Sequence, residues 1–349
     1  MSRPGRPHVG IRADASPSIG VGHVVRCLAL AEELLERGCT VTIFGSVTVD
    51  WLAAPLERLA IEVVAAPDAP EALTSLLVEQ GVDALVIDGY DIDARLGATA
   101  RTAGLVVLAF HDGDFGAAQE ADIHLDQNFG AVLHHSASSG AISLAGLDHA
   151  LFRREVLDLA DLPHADHAVP TVLAVFGGTD PNSAAEVVVP LLLATGLPLD
   201  LTCVVARPDL REAVDALPRA EGQSVTTIAP TPDVMRLAAS STVTLSAAGS
   251  SIWELLHLGV ATGIVAVADN QEASYREVID SGVAAPIGLL SELRRSEAAR
   301  ADAKATLRRL LDDPAYREDL GHRGRRLVDG KGRARVADVL LTTLGDRPD

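Results

Sequence analysis

The feature that most constrains this chain is an alternation of short β-type runs with helical ones, which occurs twice along the 349 residues. In each half, the first strand runs directly into a turn rich in glycine. Strands that alternate with helices predict a mostly parallel sheet covered by helices on both faces. Because the chain exceeds the usual size of one hydrophobic core, we expect two α/β domains.

The domain boundary is predicted from a polar segment with two prolines, 158–170, which has the composition of a linker. The predicted domains are therefore 1–160 and 161–349, and the second takes the C-terminal helices, including an amphipathic one over 330–341. An apolar stripe at helical spacing predicts a first helix that ends at Gly38. The predicted strands are 8–13, 39–45, 61–66, 83–88, 105–110, 171–176, 199–206, 224–229, 242–247 and 261–268.

The composition argues against several classes of partner. The formal net charge of −19 opposes binding to nucleic acid or to an anionic membrane. No apolar run reaches the roughly 18 to 20 residues that span a bilayer, and the start of the chain lacks the apolar centre of a signal peptide. We therefore expect no stable membrane insertion and a cytoplasmic location. Cys27, Cys39 and Cys203 are widely spaced within apolar segments, which indicates buried free thiols.

The first glycine-rich turn, "SIGVGHVVR" (18–26), contains Gly20, Gly22 and His23. It is not the dinucleotide fingerprint, because no third glycine follows. Glycines still allow the backbone to approach a ligand closely, and the start of a helix offers free amides and a positive dipole end to an anion. On this pattern alone, His23 is either the first polar residue of an ordinary helix or a catalytic group.

The second half repeats the arrangement in "FGGTDP" (176–181), where Gly177 and Gly178 follow a strand. Thr179 and Asp180 are candidate caps for the next helix, and a loop that faces a phosphate fits the pattern equally well.

A further stretch, 246–271, has the densest set of candidate ligand-binding residues. Three small residues stand at a predicted helix N-terminus, where amides suit a diphosphate: Gly249, Ser250 and Ser251. Glu254 follows within about one turn, where its carboxylate either accepts hydrogen bonds from ribose hydroxyls or complements the helix dipole. Asn270 and Gln271 follow the end of a strand and are expected at the same edge of the sheet.

Two smaller polar groups follow strands of the first half. "IDGYDID" (87–93) contains Asp88 and Tyr90, and "FHDGDFG" (110–116) with "HLDQN" (124–128) collects histidines and aspartates. A metal site is one interpretation of the second group, but no ligand spacing there is diagnostic, and loops are commonly rich in these residues. We predict neither a metal nor a cofactor.

Together these motifs resemble a known family. The segments that carry the likeness are "GIRADASPSIGVGHVVR", "IDGYDID", "HALFRREV", "FGGTDP", "AAGSSIWELLHLG" and "ADNQ". They are similar to the UDP-2,4-diacetamido-2,4,6-trideoxy-β-L-altropyranose hydrolases of pseudaminic acid biosynthesis and to relatives in spore-coat polysaccharide synthesis. The resemblance implies a GT-B-like fold of two Rossmann-like domains that face each other across a cleft.

The resemblance also implies roles for individual residues. His23 would be the catalytic histidine, and the first domain would bind the sugar. The expected sugar-binding residues are Arg12, Asp14, Gly20, Gly22, Asp88 and Tyr90. The second domain would bind UDP, and its expected nucleotide-binding residues are Gly177, Gly178, Thr179, Gly249, Ser250, Ser251, Glu254, Asn270 and Gln271.

This chain departs from the family pattern at two places. Gly89 stands where the family often has a bulkier or polar residue between the Asp and the Tyr of "IDxY". His111, Asp112 and Asp114 replace an expected pair of aspartates. Both places are expected to face the sugar, so they bear on the identity of the sugar.

The leading functional hypothesis is hydrolysis of a UDP-amino sugar at the anomeric carbon by a water molecule that His23 activates. Imidazole suits a general base near neutral pH, and amides at glycine turns suit a diphosphate leaving group. The alternatives are a GT-B glycosyltransferase that moves the sugar to an acceptor and a non-catalytic protein that binds nucleotide sugars.

Overall fold

The computed structural model describes residues 6–16, 19–112, 116–132, 140–162 and 168–346. The chain forms two compact units. Unit 1 comprises Met1–Arg154 and Gly330–Asp349, and unit 2 comprises Glu155–Asp329. The first boundary therefore lies a few residues before the predicted one at 160, and the C-terminal segment belongs to unit 1 rather than to the second domain.

Unit 1 is built on a seven-stranded sheet in the order β3-β2-β1-β4-β5-β6-β7, in which neighbouring strands are parallel. β2 and β3 are added on one side of β1, and β4 to β7 are added on its other side. The topological switch point therefore lies between β1 and β4. The strands are β1 His8–Arg12, β2 Thr40–Phe44, β3 Glu62–Val64, β4 Ala84–Ile87, β5 Val106–Phe110, β6 Ile123–Asp126 and β7 Ile142–Ala145. The first helices are α1 Gly22–Glu36, α2 Ala53–Arg58, α3 Pro70–Glu79 and α4 Leu96–Thr102.

Unit 2 is built on a six-stranded parallel sheet in the order β10-β9-β8-β11-β12-β13, with its switch point between β8 and β11. The strands are β8 Thr171–Val175, β9 Leu199–Val204, β10 Gln223–Ile228, β11 Val243–Ala247, β12 Ala261–Ala266 and β13 Ala285–Leu289. The next helices are α5 Arg154–Ala160, which spans the boundary, α6 Ala185–Leu193, α7 Pro208–Asp215, α8 Val234–Ala239, α9 Ser251–Leu258, α10 Glu272–Asp280, α11 Leu290–Arg295, α12 Glu297–Asp312 and α13 Pro314–Leu327.

The last helix, α14 (Gly332–Gly345), corrects the predicted domain assignment. Val336 and Leu340 are fully buried in the same hydrophobic cluster as residues of α1. The guanidinium of Arg333, also buried, lies 3.3 Å from a carboxylate oxygen of Glu32 and 3.1 Å from one of Glu33, both on α1. An apolar stripe predicts that a helix is packed, but it does not specify which core receives it.

The predicted strands are all present, with ends within two residues of the predicted ones. Three strands are not predicted, namely β6, β7 and β13. β6 contains His124 and Asp126, which are typical of loops, although all four of its residues are buried. β13 contains Pro286 and Gly288 and lies at a sheet edge, where such residues are tolerated.

Two other predictions agree with the structure. Helix α1 begins and ends close to the predicted positions, and its apolar residues Val24, Leu28 and Ala31 are buried. The three cysteines are free and buried. Within the described ranges, no helix is long and apolar enough to cross a membrane.

Candidate functional site

The predicted residues of unit 1 gather at its switch point. β1 ends at Arg12, and the chain then turns through Gly20 into α1, whose second residue is His23. β4 ends one residue before Asp88, whose backbone N–H donates to the carbonyl oxygen of Arg12 over 3.0 Å. The carboxyl ends of neighbouring parallel strands meet at one edge of a sheet, which brings His23 and Asp88 together.

His23 and Asp88 form a buried pair. The distance from His23 Nδ1 to Asp88 Oδ1 is 2.7 Å, and the two residues are 6% and 1% exposed. Arg26, one turn further along α1, donates from two guanidinium nitrogens to the same carboxylate: Nε lies 2.6 Å from Oδ2, and Nη2 lies 2.5 Å from Oδ1. Such bidentate pairing fixes the plane of a carboxylate as well as its charge.

The charge state of Asp88 follows from these contacts. Burial alone would raise the pKa of its carboxyl group, but the hydrogen bonds and charge of Arg26, with a smaller contribution from His23, outweigh burial, and the pKa lies below its ordinary value. An ionised carboxylate accepts hydrogen bonds only, so the network assigns the proton to Nδ1 of the imidazole. In a neutral imidazole that carries its proton on Nδ1, the lone pair is on Nε2, and Nε2 of His23 has no hydrogen-bond partner among the described residues.

Tyr90 packs against His23. Its ring meets the His23 ring edge-on, with 4.4 Å between centroids, and its hydroxyl group donates to Asp112 Oδ2 over 2.9 Å. Burial and the hydrogen bond to Asp112 raise the pKa of Tyr90 to about 12, so the phenol remains protonated at neutral pH. Tyr90 is 45% exposed, and it therefore supplies an accessible aromatic face next to His23.

The other predicted residues of unit 1 mainly shape the turn. Asp14 accepts from Arg12 Nη1 over 2.6 Å and from the backbone N–H of Ser46 over 2.7 Å, which ties the loop after β1 to the loop after β2. Gly20 has φ +91°, a conformation that favours glycine. Gly22 is the first residue of α1, and the N-cap residue before it, Val21, makes no side-chain cap. The first amides of a helix have no partner within the helix and can bind an acceptor.

In unit 2, the turn after β8 combines an exposed glycine pair with a buried cap. Gly177 and Gly178 are exposed, as is Thr179, and a methyl group added to either glycine would meet no atom within 4 Å. Asp180 is buried, and its two carboxylate oxygens accept from the amides of Ala184 and Ala185 over 2.8 and 2.9 Å. Asp180 therefore caps the start of α6, in agreement with the cap interpretation.

Two further loops lie at the same sheet edge of unit 2, because β11 and β12 are neighbours. Gly249 and Ser250 precede α9, which begins at Ser251, and the N-cap residue Ser250 makes no side-chain cap. Glu254, half-buried, lies in the first turn of α9. Asn270 is exposed in the single turn Asp269–Gln271, and Gln271 accepts from the backbone N–H of Val267 over 3.1 Å. A Cβ on Gly249 would lie 3.8 Å from Gln271 Nε2, so these two loops adjoin.

The site prediction misses Arg26, although the signal for it is present. Arg26 follows His23 by three residues, a spacing that places two side chains on one face of a helix. His111, which directly follows β5, and His124 on the neighbouring strand β6 form a second buried pair, with 2.7 Å between Nε2 and Nδ1. Asp114 lies outside the described residues. Within the described ranges, no three His, Cys, Asp or Glu side chains cluster so as to hold a metal ion.

The two parallel-sheet units define the class of fold, which is that of GT-B glycosyltransferases and related UDP-sugar epimerases. MurG of Acinetobacter baumannii superposes with a TM-score of 0.70 at 18% identity and covers 96% of this chain and 99% of its own. The UDP-GlcNAc 2-epimerase from Neisseria meningitidis, solved with UDP-GlcNAc bound, gives 0.65 at 14% identity and covers 96% and 100%. A UDP-glucosyltransferase from Polygonum tinctorium gives 0.66 at 14% identity and covers 98% and 100%.

Among curated proteins, the chain is similar to the spore coat polysaccharide biosynthesis protein SpsG of Bacillus subtilis (strain 168). The two are 24% identical over 344 residues, which are 95% of this chain and 97% of SpsG. No protein-family model matches the chain. The similarity to the spore-coat polysaccharide proteins inferred from the motifs is thus confirmed over nearly the whole length.

Proposed function

We propose that this protein is a nucleotide-sugar hydrolase of surface polysaccharide or nonulosonic acid biosynthesis. Its substrate would be a UDP-amino sugar, and its products UDP and the free sugar. The similarity to SpsG supports a role in polysaccharide synthesis, and the solved structures of like fold include a protein with UDP-GlcNAc bound. In this proposal, unit 2 binds the nucleotide and unit 1 acts on the sugar.

The observation that carries the proposal is the buried His23–Asp88 pair. Because Asp88 holds the proton on Nδ1, Nε2 is the atom that can accept a proton from water. The water oxygen bonds to the anomeric carbon while the bond from that carbon to the diphosphate oxygen breaks. The proton moves to Nε2, the electron pair leaves with UDP, and the ionised Asp88 stabilises the resulting imidazolium. Direct displacement by water inverts the configuration at the anomeric carbon.

The leaving group would be stabilised by unit 2. The exposed glycines of the β8 turn and the uncapped N-terminus of α9 offer backbone amides, and the dipole of α9 favours negative charge there. We assign the diphosphate to Gly177, Gly178, Thr179, Gly249, Ser250 and Ser251. We assign the ribose hydroxyls to Glu254, and the remainder of the nucleotide to Asn270 and Gln271.

The test is incubation with a panel of UDP-amino sugars, including diacetamido sugars, followed by proton NMR. The proposal predicts equal amounts of UDP and free sugar with water as the only acceptor, and a released sugar whose first-formed anomer is inverted. Unchanged donors across the panel would contradict it.

A glycosyltransferase is the second candidate, and the solved glycosyltransferases of the same fold favour it. It would share the nucleotide site but would pass the sugar to a hydroxyl group of an acceptor. If UDP release from a turned-over donor is negligible in water and rises at least tenfold when a glycan acceptor is added, the transferase replaces the hydrolase as the conclusion.

A further inference from the structure

Unit 1 contains a cavity of about 480 Å³, and Tyr90, which packs against His23, is part of its lining. It lies at the carboxyl ends of the strands, between the turn that leads into α3 and the segment that leads into α4. Its apolar wall includes Pro70, Leu73 and Ile92, and Arg12 and Tyr90 also line it. The volume is within the range of roughly 300 to 1,000 Å³ that is typical of small-molecule sites.

Tyr90 connects this cavity to the catalytic group. It lines the cavity, and its ring also contacts the ring of His23 at 4.4 Å between centroids. A sugar whose anomeric carbon is attacked beside His23 can therefore extend a substituent past Tyr90 into the cavity.

Gly89 controls the position of one wall. A Cβ at residue 89 would lie 2.9 Å from Ile92 Cδ1 and 3.3 Å from Cγ1, closer than packed side chains approach. The side chain of Ile92 can therefore keep its present position only while residue 89 has no Cβ. The backbone of Gly89 does not have a positive φ, so alanine is acceptable there once Ile92 moves. Any larger residue displaces Ile92 from its place in the cavity wall.

The charges around the cavity are unequal. Asp68 and Asp91 line it, and neither makes an ion pair with any described residue. The positive charge of Arg12 is paired with Asp14, and Asp93, also in the lining, is paired with Arg95. The uncompensated charge is thus negative, which disfavours a carboxylate and accepts hydroxyl, amide or ammonium donors.

The geometry points to a substituent subsite of the proposed enzyme: the cavity takes an N-acyl or amino substituent of the sugar, excludes carboxylated sugars, and has its size set by Gly89 through Ile92. This inference rests on the proposed function for the identity of the ligand as a UDP-sugar. It goes further, because it places one substituent of the sugar in a particular cavity and names two residues that set the size of that cavity.

Binding rather than turnover tests whether Gly89 sets the size of the cavity through Ile92. In the His23→Ala background, in which consumption of the ligand is slowed, calorimetry gives Kd for UDP and for UDP-N-acetylglucosamine. Gly89→Ala is expected to raise Kd for UDP-N-acetylglucosamine about tenfold and to leave Kd for UDP unchanged. Adding Ile92→Ala removes the atoms that the new methyl group meets, and the double variant should recover most of the loss. Gly345→Ala, which adds a methyl group in open space on α14, is the matched control.

UDP-glucuronic acid, measured in the same assay, tests whether the cavity excludes a carboxylate. The protein should bind it at least tenfold more weakly than UDP-N-acetylglucosamine, and Asp68→Asn with Asp91→Asn should narrow that ratio. Glu79→Gln on the exposed surface of α3 is the control. UDP-N-acetylglucosamine that binds no tighter than UDP, or a double variant of Gly89 and Ile92 as weak as Gly89→Ala alone, would overturn the subsite. Absence of hydrolysis by the wild-type protein with these binding results intact would instead remove only the hydrolase.

Discussion

The two units share a topology, but their switch points carry different chemistry. In unit 1 the edge between β1 and β4 carries ionisable side chains, with His23 and Arg26 converging on Asp88. In unit 2 the edge between β8 and β11 carries glycines, hydroxyls and uncapped amides. Each unit also buries one aspartate after a strand at this edge. Asp88 binds an imidazole and a guanidinium, whereas within the described ranges the carboxylate of Asp180 accepts from two backbone amides. The shared topology thus brings loops together at the same edge of each sheet, and the side chains of those loops determine whether the edge is suited to proton transfer or to ligand binding.

Asp88→Asn is expected to have the largest effect on stability and turnover, and this effect should distinguish Asp88 from Asp180. Arg26 would lose its buried anion and keep only the more exposed carboxylate of Asp112, 4.0 Å away, and the loss of a buried partner typically costs about 3 to 5 kcal/mol in the free energy of unfolding. The imidazole would also lose the anion that orients it, so turnover should fall roughly 10²- to 10⁴-fold. Denaturant unfolding and UDP release measure the two losses. Asp209→Asn, at an exposed ion pair, is the control.

The dependence of stability on pH tests the charge assigned to Asp88. The pKa of Asp88 lies below its ordinary value of 3.8 in the folded protein. Its contribution to stability is therefore present above the ordinary pKa and is lost as the pH falls towards the lower, folded-state pKa. The difference in unfolding free energy between the wild-type protein and Asp88→Asn should be greatest near neutral pH and should narrow below about pH 4. A difference that stays constant with pH would contradict the assigned charge.

His23→Ala separates chemistry from nucleotide binding. Turnover should fall about 10²-fold or more, the scale of general-base catalysis, while Kd for UDP stays the same because unit 2 is unaltered. His322→Ala, at an exposed position on α13, is the matched control. If hydrolysis is undiminished in His23→Ala, another group is the base; if wild-type protein binds UDP-sugars without turning them over, the protein is a binding protein.

Gly178→Ala makes the converse change in unit 2. The added methyl group meets no atom of the protein within 4 Å, so the free protein should keep its stability. The methyl group would occupy space that a phosphate needs, and Kd for UDP should rise about tenfold, or roughly 1.4 kcal/mol. Calorimetry with UDP measures the change. Weakened stability with unaltered UDP affinity would show that this turn is structural.

Asp180→Ala should have the smallest effect. Loss of a helix cap costs roughly 1 kcal/mol, and kcat at saturating substrate should stay close to the wild-type value because this carboxylate accepts its hydrogen bonds within the described residues from backbone amides. Thermal unfolding and steady-state kinetics provide the comparison with Asp88→Asn. A loss of kcat as large as that of Asp88→Asn would remove the distinction between the two buried aspartates.

The sequence predicts much of the fold because its strands are apolar runs separated by glycines and by periodic helices. β6 is missed because burial of His124 and Asp126 depends on tertiary partners that no local pattern reveals. The attachment of α14 to unit 1 depends on Arg333 meeting glutamates some 300 positions away in the chain. At the site, His23, Asp88 and Tyr90 are named in advance, but the contact between His23 and Asp88 requires the pairing of β1 with β4.

The central claim, that His23 in unit 1 activates water against the anomeric carbon, is tested most directly by turnover in ¹⁸O-labelled water. Cleavage at the anomeric carbon transfers the label to the sugar, and UDP remains unlabelled. Mass spectrometry of both products, for the wild-type protein and for His23→Ala, reads out the bond that breaks and the dependence on the imidazole. We expect unlabelled UDP, labelled sugar and a rate that collapses in His23→Ala. Label in the β-phosphate of UDP, or an equal rate in His23→Ala, would contradict the account.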